Sequence, residues 1–129
     1  MSGGRATVHH TRGQRVRQVG DICAVAPEGT HFCERFFVEC KHVRSFNIRR
    51  FVYANKGPLA NYWRKCVKQA AVHNYNPMLI ARENRGPIIV LSYPNVVAID
   101  CIIMRVRHAA CDVSLFSKLL AKPYTRAIK

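Results

Sequence analysis

The sequence predicts an α/β or α+β fold, a sheet flanked by helices around one core. Two observations carry this. Short apolar runs bounded by Pro and Gly read as buried strands, and one stretch repeats its apolar residues at three- and four-residue spacing as a helix does. With 129 residues, 49% of them hydrophobic, the chain can bury one modest core and so is most simply one domain.

Residues 1–20, "MSGGRATVHHTRGQRVRQVG", carry Arg5, Arg12, Arg15 and Arg17, no acid and few large apolar groups, which makes a basic arm or loop ahead of a single domain over 21–129. "DICAVA" is a short strand from Asp21, ended by the Pro27-Glu28-Gly29 turn. A second strand, Arg35 to Val43, is apolar on both faces except for Glu39 and Lys41, so a central place in the sheet is expected. Segment 44–58 is basic and aromatic, a loop or partly helical, and ends at Gly57-Pro58. From Leu59 to about Asn74 the residues Leu59, Trp63, Cys66, Val67, Ala70 and Ala71 mark one face of a helix. "NPMLIAR" and "GPIIVLSY" are two buried strands opened by prolines that need not donate to a ladder. "NVVAIDCIIMRVR" is a strand or pair of ambiguous period. "DVSLFSKLLAK" reads as a short helix with Asp112 as N-cap, stopped before Pro123. The predicted order is strand, strand, helix, strand, strand.

Charge narrows the partners. Lys and Arg number 21 against 7 Asp and Glu, a formal +14. Self-repulsion of that size favours a polyanionic partner, and nucleic acid leads because each phosphate contact releases a condensed counterion. No amphipathic basic helix with a broad apolar face is evident, no apolar stretch approaches membrane-spanning length, and no apolar leader stands at the start, so membrane and secretion are not indicated. The six cysteines are irregularly spaced without a CxxC pair, which fits a reducing cytosol better than a disulfide or zinc framework.

The chemistry concentrates in "FVECKH". Strand alternation sends Glu39 and Lys41 to one face, while Cys40 points to the other and joins the core. Asp21, on the preceding strand, can stand beside Glu39. Two carboxylates near a backbone carbonyl form a hard-oxygen site of the kind Mg²⁺ prefers. Phosphodiester hydrolysis needs such a metal, together with a cation that stabilises developing negative charge, the role open to Lys41. Taken alone, Glu39 and Lys41 also suit a same-face ion pair on a half-exposed strand. Asp21 and the surrounding arginines favour the site.

These residues also carry a resemblance. "GDICA" at 20–24 followed by "FFVECKHVRSF" at 36–46 resembles the PD-(D/E)XK nuclease superfamily, nearest to archaeal-type Holliday junction resolvases and phage-encoded relatives. "SGGR" at 2–5 is similar to their Ser/Gly/Arg stretch, and "YWRKCVKQA" at 62–70 to their W-x-x-x-x-x-Q helix. The likeness covers residues 2–92 and implies a restriction-endonuclease-like mixed sheet. It implies Asp21, Glu39 and the Cys40 carbonyl as ligands of Mg²⁺ (or Mn²⁺), Lys41 and Gln69 in the catalytic site, and Ser2 at the scissile phosphate. Members usually open with a helix carrying a Glu of the metal site. No acid precedes Asp21 here, so that helix is expected to be missing, leaving a sheet face for a partner subunit to cover.

Arg5, Arg12, Arg15, Arg17, Lys41, Arg44, Arg49, Arg50 and Lys56 are the candidate phosphate contacts. Phe46, Phe51 and Tyr53 are candidates for stacking on exposed bases, with half of them expected in the core instead. Trp63 belongs to the core stripe, and His42, facing away from Lys41, reads as structural. The leading expectation is a Mg²⁺-dependent DNA endonuclease acting on branched DNA such as Holliday junctions, in recombination, repair or phage DNA processing. It would work as a homodimer in the cytoplasm of a bacterial, archaeal or phage-infected cell. The alternative is a basic nucleic-acid-binding protein with an incomplete, inactive site.

Overall fold

Three consecutive large apolar residues, Phe36, Phe37 and Val38, set the arrangement of residues 35–129, the part that the computed structural model describes. A strand with apolar groups on both faces needs cover on both. Strand β1 (Phe36–Val43) obtains it. Phe37 packs with Phe51, Leu59, Trp63 and Leu79 on one face, while Phe36 and Val38 pack with Met78, Val90, Val97 and Ile128 on the other.

From β1 the chain enters helix α1 (Ile48–Ala54) and then helix α2 (Pro58–Val72), so segment 44–58 is partly helical. Asn47 and Asn55 bracket α1 with left-handed backbone, which Asn tolerates better than most residues. Gly57 sits at φ 94, where an L side chain would be strained, and Pro58 follows at a helix start that needs no N–H. The predicted stripe is inward: Leu59, Trp63, Cys66 and Ala70 are buried, whereas Ala71 is exposed. Trp63 fixes the helix further by donating its indole N–H to the Ala109 carbonyl at 2.8 Å.

Beyond α2, strand β2 (Asn76–Glu83) runs parallel to β1, from Phe36 opposite Asn76 to Val43 opposite Glu83. Strand β3 (Ile88–Ser92) turns back antiparallel to it. Glu83 ties this hairpin to the end of β1, accepting the Phe46 N–H at 3.0 Å, and a Cβ on Gly86 would lie 2.4 Å from the Glu83 Cγ. "NVVAIDCIIMRVR" resolves into an isolated bridge at Val97, a 3-10 turn over Ile99–Cys101 and strand β4 (Ile102–Val106).

The expected helix over 112–122 is corrected. Residues Cys111–Leu115 form strand β5, and only Phe116–Leu120, helix α3, is helical before Pro123. Asp112 is therefore not an N-cap. It lies within a strand paired to β3 on one side and β4 on the other, and sheet pairing on both edges outweighs the local capping signal. Its fully buried carboxylate takes a two-pronged bond from Arg105, at 2.7 and 3.1 Å, and a third from the Asn95 N–H at 3.3 Å. A last helix, α4 (Tyr124–Ala127), leads the end of the chain back to residues 96–98, where the Lys129 N–H bonds to Val96 and the Ala98 N–H to Ala127.

The described sheet has the order β1-β2-β3-β5-β4, parallel at the first pair and antiparallel elsewhere. With α1 and α2 on one face and the C-terminal segments on the other, this is the restriction-endonuclease-like architecture expected. Residues 93–129 are integral to it, supplying β4 and β5. The basic arm, the strand from Asp21, its turn and the expected loss of a first helix fall outside the described residues. In the described sheet β1 is an edge strand with β2 as its one neighbour, so the expected central place is not seen among the described residues.

Asp112→Asn should lower unfolding stability by about 1–3 kcal/mol, since it keeps the shape but removes a charged acceptor from Arg105. Urea unfolding of the two proteins side by side reads this, and equal midpoints would contradict the assigned weight of the pair.

Candidate active site and its basic rim

Along β1 the odd positions 37, 39, 41 and 43 face α2, and the strand leaves the core as it runs. Phe36, Phe37 and Val38 are buried on both faces. Glu39 is still only 7% exposed, Lys41 is half-buried, and Cys40 and His42 are exposed. Cys40 thus does not join the core, which corrects that expectation, and His42, on the face away from Lys41, is a surface residue. Alternation was right about their direction, but at this end of β1 the even face has run past the packed residues of the second cluster.

The flank of α2 that meets Glu39 is polar. Tyr62, Lys65, Cys66 and Gln69 lie at i, i+3, i+4 and i+7, one side of a helix. With Glu39 and Lys41 they line a cleft of about 70 Å³. The Lys41 ammonium stands 5.4 Å from the centre of the Tyr62 ring, a cation–π contact that restrains a long side chain. Cys66 anchors the helix to β1 through a weak thiol contact to the Phe37 carbonyl at 4.0 Å. A space of this size holds a small cation and a few water-sized groups, well short of the roughly 300 Å³ of a pocket for a whole organic ligand.

Glu39, Lys41 and Gln69 therefore line one cleft. Asp21 and Ser2 lie outside the described residues, as do Arg5, Arg12, Arg15 and Arg17. Arg44, Arg49, Arg50 and Lys56 are all exposed on the segment joining β1 to α2. Phe46 and Phe51 are core residues, at 5% and 0% exposure, which removes them as stacking groups, whereas Tyr53 is 79% exposed between the arginines and Lys56. Sequence reasoning missed Tyr62 and Lys65, although their helical spacing from Gln69 was a readable signal. It also missed Arg82, exposed and opposite His42 in the β1–β2 register, which extends the basic rim onto β2.

For a metal, the cleft offers one nearly buried carboxylate, Glu39, and the side-chain amide of Gln69 among its lining groups. Among the described residues no group of three or more His, Cys, Asp or Glu gathers at one point. This donor set suits a hard cation such as Mg²⁺, which is held by one or two carboxylates and keeps water and substrate phosphate oxygens as its other ligands. It does not suit a soft, thiolate-rich centre.

Residues 3–109 match the profile of the family described as "Phage putative PDDEXK endonuclease". The chain belongs to this family. The matched span takes in both Asp21 and the Glu39-Cys40-Lys41 motif, and it reaches past residue 92 through the whole of β4. PD-(D/E)XK nucleases use divalent metal ions, in keeping with the oxygen donors at the cleft. Neither the curated proteins nor the solved structures include a match to this PDDEXK-family chain. No helix among its described residues is long and apolar enough to cross a membrane.

The thiols of the family member separate cleanly. Burial, reinforced by the neighbouring Asp112 carboxylate, pushes the Cys111 thiol up to about 12. At pH 8 its thiolate fraction is on the order of 10⁻⁴, and its burial also keeps reagent away, whereas Cys40 is exposed at the surface. Brief alkylation of the native protein followed by peptide mass spectrometry should label Cys40 and spare Cys111. Labelling of both at equal rates would show that the β5 face is open.

Proposed function

We propose that the protein is a divalent-metal-dependent endodeoxyribonuclease, with Mg²⁺ as the working ion and Mn²⁺ as a substitute, acting on branched DNA as a homodimer in the cytoplasm. The observation that carries the reading is the convergence of Glu39, Lys41 and Gln69 on one small cleft set among exposed cations. Membership of an endonuclease family supports cleavage; the likeness to junction resolvases and the exposed Tyr53 among Arg49, Arg50 and Lys56 support a substrate with unpaired bases. A four-way junction has near two-fold symmetry, which a two-fold dimer would match with one site per cut strand.

Glu39 holds the metal through its carboxylate, joined by the backbone carbonyl of Cys40 and by Asp21. When bound, the ion polarises the phosphoryl oxygen and lowers the proton affinity of the attacking water. The protein's own groups do the rest. Lys41, restrained against Tyr62, places an ammonium where negative charge develops on the phosphate, and its position in a partly dry cleft strengthens that interaction. Gln69 orients the attacking water through its side-chain oxygen. Lys65 adds a second cation for the scissile phosphate, with Ser2 as a further contact. Arg44, Arg49, Arg50 and Lys56, together with the arginines of the N-terminal arm, hold flanking phosphates and set register without reading sequence.

The experiment is cleavage of a labelled four-way junction, a duplex and a single strand, each in Mg²⁺ and in EDTA. The wild type should cut the junction in Mg²⁺ alone. Lys41→Ala should slow cutting by about 10²–10³-fold, and Glu39→Gln should abolish it, both with junction binding retained. Cutting by Glu39→Gln at the wild-type rate would overturn the site. A wild type that binds the junction and never cuts it would establish the alternative, a basic nucleic-acid-binding protein with an inactive site. In the same assay Arg49→Ala with Arg50→Ala should weaken all three DNAs alike and flatten the salt dependence of binding by about one to two counterions.

A further inference from the structure

Helix α2 borders a second cavity on the side away from the cleft. Trp63, Arg64, Val67 and Lys68, roughly half a turn round the helix from Tyr62, Lys65 and Gln69, face a groove of about 340 Å³ whose other wall includes Asn55 and His108. Its volume falls within the range of about 300–1,000 Å³ typical of pockets for organic ligands, unlike that of the ion-sized cleft.

The chemistry of the groove is specific. Val67 gives it an apolar floor, with Trp63, 2% exposed and pinned by its bond to the Ala109 carbonyl, directly beneath. The rim is cationic: Lys68 is exposed, and Arg64 is held as a rigid plane by the Asn55 carbonyl at 3.0 Å and the Asn61 side-chain oxygen at 2.7 Å. His108 closes the wall by donating its Nε2–H to the carbonyl of Val52 in α1. Asn55 adds a third feature. Its side-chain oxygen is buried without a hydrogen-bond partner, on a residue fixed by its left-handed backbone at the end of α1. A buried acceptor without a donor is uncommon in folded proteins and invites an N–H from outside.

We propose that this groove receives one unstacked nucleobase, with its attached phosphate, from the DNA strand that the protein binds. A base offers two apolar faces to the floor and to the fixed guanidinium plane of Arg64, and every one of the four bases carries an N–H on its pairing edge for Asn55. The phosphate complements Lys68. This places the capture of an unpaired nucleotide on one flank of α2 and phosphodiester chemistry on the other, which makes the helix the element that relates them. The inference rests on the DNA-binding part of the function proposed above and not on cleavage.

The test uses the full chain in EDTA, so that nothing is cut. Trp63 is the one tryptophan in the sequence, so its emission reports the groove directly. The probes are a fully paired duplex, the same duplex with one unpaired adenine, and a short single strand, with binding followed by anisotropy and by Trp63 emission. The two DNAs with unpaired bases should quench Trp63 and the paired duplex should not. Asn55→Gly keeps the left-handed backbone and removes the amide, Val67→Phe fills the groove, and Lys68→Ala removes the exposed cation. The first two should abolish quenching and weaken the unpaired-base DNAs about tenfold, the contribution of one stacked base, while changing duplex affinity by less than about twofold. Lys68→Ala should weaken the same DNAs without abolishing the quenching.

Equal quenching by the paired duplex, an equal loss on all three DNAs, or equal quenching by a polyglutamate peptide of matched charge would each overturn the groove as a base site. Failure of the nuclease reading is seen elsewhere: if Asn55→Gly cuts the junction in Mg²⁺ like the wild type and the wild type never shows quenching, the groove is excluded and the endonuclease stands. If quenching behaves as expected and no protein cuts, the base site stands without the enzyme.

Discussion

The structure depends on how α2 crosses the parallel pair β1–β2. Parallel neighbours cannot be joined by a tight turn, so the chain between them must travel the length of the sheet, and here that passage is α1 and α2. The docking is made by Leu59, Trp63, Cys66 and Ala70 against Phe37, Leu79, Ala81 and Leu91, all members of one buried cluster. Ala70 and Ala81 add little bulk at this contact. Once the apolar stripe is seated, nothing about the helix's rotation is left free. One flank must then meet Glu39 and Lys41, and the other must meet the end of α1 and the turn before β5. Both cavities are thus consequences of a single packing interface, and neither could move without moving the core.

The second constraint is the way β1 runs from the interior to the surface. Where it is covered on both faces it carries Phe36, Phe37 and Val38; where cover ends it carries Cys40 and His42, which are exposed. Glu39 stands at the boundary. A carboxylate one or two residues earlier would be sealed in an apolar core at a prohibitive desolvation cost, and one residue later, at the exposed position of Cys40, it would be a surface charge. At 7% exposure, beside a polar cleft, it is dry enough for electrostatic interactions to be strong and open enough for a cation and a phosphate to reach it. Breaking the strand's apolar pattern at this one position is what a functional site requires.

Much of this was legible in the sequence, for identifiable reasons. The period of Leu59, Trp63, Cys66 and Ala70 defines α2 because its apolar stripe is buried as a unit, and the prolines and glycines around β2 and β3 punctuate them because backbone chemistry leaves little choice. Glu39 and Lys41 stood out as charges in an apolar strand, and Gln69 followed from resemblance. Asp112 was misread because an Asp before an apolar run is the signal of an N-cap, and Val113, Leu115, Phe116 and Leu119 satisfy a two-residue period at the start and a helical period at the end. What decides between them is not local: β5 is held between two neighbours, and Arg105 waits on one of them for the carboxylate. The exposure of Cys40 and His42 was equally out of reach, since alternation gives a side chain's direction but not where the opposing layer stops. Tyr62 and Lys65 could have been found by extending the helical spacing from Gln69 back toward the strand.

A formal charge of +14 does not by itself make a binding site; its placement does. Of the described acids outside the cleft, Glu83 is committed to the Phe46 amide, Asp100 to Lys122 and Asp112 to Arg105. Asp100 and Asp112 are thus paired away from the exposed cations on the segment between β1 and α2, where Glu83 is the one described acid that reaches, at the Phe46 amide. Screening limits the useful ones to those within about 8–10 Å of a bound phosphate at physiological salt, so only those near the cleft contribute to holding substrate there, and the rest serve encounter. Such a field attracts any polyanion alike. Discrimination among nucleic acids must come from shape and from groups that are rigid before binding, and the rigid groups at hand are those fixed by α2: Lys41 against Tyr62 on one side, Arg64 bonded to Asn55 and Asn61 on the other.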